Sequence, residues 1–92
     1  MPGKSERQKA REVVAAYHEA ALGELVTHVA AVIDDFRSGR LDAFEVDRGL
    51  FQYSRAAKEL WKFCNMTDSV VTADVIRDHP SIDWWERGVP RR

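Results

Sequence analysis

Ser38-Gly39-Arg40-Leu41-Asp42, SGRLD, is the short break between two long helical stretches, and its reading decides the fold. Gly39 suits the left-handed position just past a helix end, because it has no Cβ to clash there. Asp42 suits the N-cap of the next helix, with Glu45 at the third helical position. The upstream helix is expected over about residues 6–37, with Ser5 and Gln8 at the S-x-x-Q spacing of a capping box. The downstream helix is expected over about 43–64 and ends in Asn65-Met66-Thr67-Asp68. A short turn between long helices forces them into an antiparallel hairpin.

Beyond the hairpin the chain is choppier. Thr72 is read as the cap of a short helix near 73–78. His79-Pro80 closes that helix, since the residue before proline disfavours the α region. Ser81 is read as the cap of a helical turn near 82–87, ended by Gly88, and residues 1–4 and 89–92 are read as loose ends. The chain shows no strand-like alternation and no internal repeat. The expectation is one all-α domain over residues 1–92: a long antiparallel helical hairpin plus a short C-terminal helical segment, forming a four-helix bundle as a dimer.

Composition supports a packed helical protein. Apolar residues make up 45% and charged residues 32% of the 92, which argues against disorder. A chain of this size buries roughly 60–65% of its unfolded surface, a thin core that self-association commonly supplements. Fourteen basic residues against fifteen acidic ones give no electrostatic drive toward nucleic acid or an anionic membrane. The single cysteine, Cys64, excludes an internal disulfide framework. No apolar segment resembles a signal peptide or approaches the ~18–20 residues of a membrane span. The expected location is therefore cytoplasmic, with no cofactor and no membrane partner, and with nucleic acid disfavoured as a partner.

The first helix has two unlike faces. Val14, Leu22, Leu25, Val29, Val32 and Phe36 fall within about 80° of one another on a helical wheel, the pattern of a core stripe. The second helix offers Val46, Leu50, Tyr53, Ala57, Leu60, Trp61 and Cys64. Gly49, Ala56 and Phe63 widen this stripe past about 120°, so it should touch more than one neighbour. The reverse side of the first helix carries Ala16, Ala20, Gly23, Thr27 and Ala30. Alanine alone is unremarkable on an exposed helix, but Gly23 costs about 0.8–1 kcal/mol relative to alanine there. Small residues at heptad-like spacing let two helices approach closely, so this stripe is a candidate self-interface.

Length gives a second reason to expect additional packing. The first helix should run roughly 48 Å and the second roughly 33 Å, so residues 6–14 overhang the hairpin. The C-terminal segment, with Val70, Val71, Ile76, Ile82, Trp84 and Trp85, can cover them. Residues 66–88 hold five acids against two arginines, net −3, and residues 1–12 hold four bases against two acids, net +2. A second copy of the chain is the other cover, and Trp84 and Trp85 could also anchor a partner.

Few residues point to chemistry. His18 lies in the apolar stripe of the first helix, where a core or interface histidine is the plainest reading. Glu24 and His28 stand one turn apart and could share a metal, though di-metal bundles draw further carboxylates and histidines from facing helices. Cys64 sits on an apolar stripe with nothing to lower its pKa. Arg11 and His18 form R-x₆-H, a spacing that resembles the R-x₄₋₆-H signature of HEPN ribonucleases, which are all-α and dimeric. The resemblance covers these two residues alone and implies that His18 would handle the proton of an attacking 2′-hydroxyl while Arg11 steadies the phosphate. In that family the motif sits late in a longer bundle, whereas here it falls in the first helix.

The favoured expectation is a non-enzymatic helical interaction or accessory protein, a homodimer that presents a helical surface to a protein partner. Two rivals are a small enzyme, nuclease-like through Arg11 and His18 or metal-dependent through its acids, and an antitoxin-like nucleic-acid-binding regulator using the basic N-terminus.

Overall fold

The computed structural model describes residues 3–90. Among them lie four helices and no strand: α1 Lys4–Arg37, α2 Ala43–Asn65, α3 Ser69–Asp78 and α4 Trp84–Arg87. The chain is elongated, 55 × 27 × 18 Å, along the axis that α1 sets.

The hairpin turn is built as its residues dictate. Gly39 takes φ 81°, and the Gly39 N–H donates to the Phe36 carbonyl at 3.1 Å. The Arg40 and Leu41 N–H groups both donate to the Asp35 carbonyl, so the last turn of α1 leaves few orphan acceptors. Asp42 and Glu45 then cap α2 reciprocally. The Glu45 N–H donates to Asp42 Oδ1 at 2.8 Å, and the Asp42 N–H donates to Glu45 Oε1 at 3.2 Å. Close approach of the two helices is set by Gly49, where a Cβ would come within 3.3 Å of Val32 Cγ1.

Three capping expectations are corrected. α1 starts at Lys4 with Gly3 as its N-cap and no side-chain cap bond, so Ser5 and Gln8 both lie inside the helix and form no capping box. α3 starts at Ser69, capped by Asp68, whose carboxylate accepts from the Val70 N–H at 2.8 Å. Thr72 is an interior residue of that helix. Its hydroxyl donates back to the Asp68 carbonyl at 3.2 Å, which lets a polar side chain be 2% exposed without an orphan group. Asp83 rather than Ser81 caps α4, accepting from the Glu86 N–H at 3.1 Å, and residues 79–83 run outside any helix. Pro80 does end α3, with His79 as its C-cap.

The core is a single cluster of Val14, Ala21, Leu25, Ala56, Leu60, Cys64 and Trp84. α3 packs against α1, and Ala10 and Val14 in the overhang are buried, although Val13 stays exposed. The expected α1 stripe is therefore only partly core. Val14 and Leu25 are buried, Leu22, Val29 and Val32 are half-buried, and Phe36 is exposed. On α2, Leu50 and Trp61 are exposed as well. Of the expected loose ends, residues 1, 2, 91 and 92 lie outside the described residues. No helix among the described residues is long and apolar enough to cross a membrane.

Candidate functional site

The C-terminal segment closes one side of the hairpin. Trp84 is buried, and its indole Nε1–H donates to the Tyr17 hydroxyl of α1 at 2.7 Å. Its ring packs against Phe63 of α2, 5.2 Å between centroids, with the Arg87 guanidinium 5.2 Å above the indole. Trp85 stacks face to face on His28, 4.6 Å between centroids and 4° from parallel. Gln52 Nε2 donates to the Trp85 carbonyl at 3.0 Å, and Arg55 Nε donates to the Gly88 carbonyl at 2.6 Å. Gly88 itself lies so close to α2 that a Cβ there would press into the Gln52 carbonyl and come within 2.8 Å of Ala56 Cβ. Both tryptophans are thus engaged within their own chain, Trp84 buried and Trp85 half-buried.

The opposite flank of the hairpin is uncovered. On α1, Leu22, Val26, Val29 and Ile33 recur at 4-3-4 spacing; on α2, Val46, Leu50, Ala57 and Trp61 recur at 4-7-4. At 100° per residue these rows lie roughly 140–170° around each helix from the residues that hold α4, namely Tyr17 and His28 on α1 and Gln52, Arg55 and Ala56 on α2. Val26 is 52%, Leu50 43% and Trp61 53% exposed, while their neighbours Leu22, Val29, Ile33, Val46 and Ala57 are half-buried. Phe36 continues the row at the turn end. None of these side chains is charged. Ser54, between Leu50 and Ala57, is the polar member of the α2 row, and exposed apolar side chains gathered on one side make this flank a candidate interaction surface.

The small-residue stripe is a second open surface of a different quality. Ala16, Ala20, Gly23, Thr27 and Ala30 are all exposed, and a Cβ at Gly23 would meet nothing within 4 Å. The Thr27 hydroxyl is turned back onto the Gly23 carbonyl at 3.0 Å. Such a surface offers mainly single methyl groups, so removing it from water releases little free energy at about 25 cal/mol per Å². Gly23→Ala should raise the unfolding free energy by about 0.8–1 kcal/mol, as in any open helix interior. Urea denaturation checks this; a loss of stability would mean that another helix comes down on Gly23.

The residues weighed for chemistry stand apart from one another. Arg11 is exposed and His18 half-buried, and neither makes a side-chain hydrogen bond among the described residues. They stand seven positions apart, about 10.5 Å along the helix axis. Glu24 and His28 line a cleft with Ile82, Trp84 and Trp85, but one face of the His28 ring is taken by the indole of Trp85. No group of three metal-ligating side chains occurs among the described residues. Cys64 is buried in the core, and that burial pushes its thiol pKa up, away from the reactive thiolate. No protein family, curated protein or solved structure matches the chain.

Proposed function

We propose that the chain is a cytoplasmic, non-enzymatic interaction protein that works as a homodimer and presents helical surfaces to a protein partner. The observation that carries this reading is the uncovered apolar flank formed by Leu22, Val26, Val29 and Ile33 with Leu50, Ala57 and Trp61. Apolar, charge-free surfaces of this kind resemble a domain core cut in half, the character of permanent homodimer interfaces. A second copy suits the flank better than a different protein for a reason of shape. Along α2 the order Leu50, Ser54, Ala57, Trp61 is large, small, small, large. That order reads the same by size in both directions, so an antiparallel two-fold pairing brings the small residues together at the centre and Leu50 beside Trp61 at each end. The product is a four-helix bundle with α3 and α4 on its outer sides.

Sedimentation equilibrium over a wide concentration range tests the reading. The wild-type chain is expected at twice its chain mass. Leu50→Glu, at a position already 43% exposed in one copy, should fold but sediment as a monomer, because each dimer would bury two unpaired carboxylates. Gly23→Ala should remain dimeric. A wild-type monomer at every concentration overturns the dimer.

A further inference from the structure

The outer edge of α2 combines exposed aromatic rings with nearby cations. Phe44 is 80% and Phe51 58% exposed. They stand seven residues apart, two helical turns or about 10.5 Å along the axis, on one face. Cations outnumber acids around them. Arg48 and Asp47 lie between them in sequence, Arg55 and Lys58 follow on the next turns, and Arg87 stands across a cleft shared with Arg55, Lys58, Glu59, Val89 and Pro90. A neighbouring cleft of about 390 Å³ is lined by Arg48, Phe51, Gln52, Arg55 and Pro90. Arg48 and Lys58 carry no ion pair among the described residues. Arg55 is already oriented, since its Nε is fixed on the Gly88 carbonyl. The edge lies about 100° around α2 from Leu50 and Trp61, so a dimer through the flank leaves it open.

We propose that this edge binds an acidic amphipathic peptide segment of another protein, whose apolar side chains cover Phe44 and Phe51 while its carboxylates meet Arg48, Lys58 and Arg87. Charge complementarity selects that occupant. Two desolvated phenyl rings provide the anchors, and the cations around them set sign and orientation. A second copy of the chain does not fit, because it would bring the same cations against one another. Nucleic acid fits less well, because the phenyl rings project from a convex helix rather than forming a stacking groove. The inference rests on the reading of the chain as an interaction module, but not on its dimerisation.

Fluorescence anisotropy with three labelled probes tests it: a peptide alternating Glu with Leu and Phe, the same peptide with Ser at every apolar position, and a single-stranded oligonucleotide. The amphipathic acidic peptide should bind at least tenfold tighter than either control and weaken with added salt. Phe44→Ser/Phe51→Ser and, separately, Arg48→Glu/Lys58→Glu should each weaken it at least tenfold while circular dichroism and sedimenting mass stay unchanged. Equal binding of the apolar-free peptide, tighter binding of the oligonucleotide, or no binding by the wild-type chain overturns the proposal. Because mass reads the dimer and anisotropy reads the edge, peptide binding by a monomeric wild type would overturn the dimer alone.

Discussion

Trp84→Ala is expected to lower the unfolding free energy by about 3–5 kcal/mol, the range for removing a buried tryptophan. The ring is 5% exposed and touches both long helices, with Tyr17 on one and Phe63 on the other. Truncation opens a cavity and also strips the Tyr17 hydroxyl of its donor at 2.7 Å. Tyr17→Phe separates the two contributions: it keeps the packing, removes the hydrogen bond and should cost about 0.5–1.5 kcal/mol. A domain of this size is stable by only about 5–15 kcal/mol, so the tryptophan variant loses a large fraction of the total. Urea denaturation followed by far-UV circular dichroism measures both. A loss below about 1 kcal/mol for Trp84→Ala would mean that α4 is not seated on the hairpin, because no packed tryptophan is so dispensable.

What could be read from the sequence was local. The SGRLD turn works through cap chemistry that spans three or four residues, so Gly39, Asp42 and Glu45 announce it without any knowledge of the rest of the chain. The C-terminal caps failed for the converse reason. Thr72 has the composition of a cap, but threonine in a helix can also satisfy its hydroxyl on the carbonyl one turn back. Which of the two it does depends on whether Asp68 has already started the helix. Burial was less legible still. Phe36, Leu50 and Trp61 carry the periodicity of core residues, yet they remain exposed because residues 66–88 fold over the other flank.

Glycine shows the same division. Gly23 drew attention as an unexplained cost in a helix, but it faces open space. The close approaches occur at Gly49, against Val32, and at Gly88, against Gln52 and Ala56. Gly88 looked like a simple stop signal in the sequence. Its packing role becomes visible only when the chain returns to α2, more than thirty positions upstream in the sequence, where Arg55 and Gln52 hold the backbone. The width of the α2 stripe did signal more than one neighbour, and α1 and α4 are both found there. The part of that stripe left over, Leu50 and Trp61, is the part on which the proposed dimer depends.

Leu60→Ala probes the hairpin itself and should also cost about 2–5 kcal/mol, near the upper end because the site is closed on all sides. Leu60 is 0% exposed and belongs to the cluster in which Leu25 of α1, Ala56 and Cys64 of α2 and Trp84 of α4 meet. At about 4–8 °C per kcal/mol for a domain of this length, the melting temperature should fall by tens of degrees. The two variants differ in a way that denaturant slopes can read. Trp84 attaches a four-residue helix to an existing hairpin, so its loss can free that segment in the native state; unfolding then exposes less new surface, and the slope against urea drops. Leu60 lies between elements that must all be in place together. Its loss should shift the midpoint and leave the slope unchanged. A reduced slope for Leu60→Ala as well would mean that the hairpin is already loosened by that cavity, and that α1 and α2 depend on each other less than their shared cluster implies.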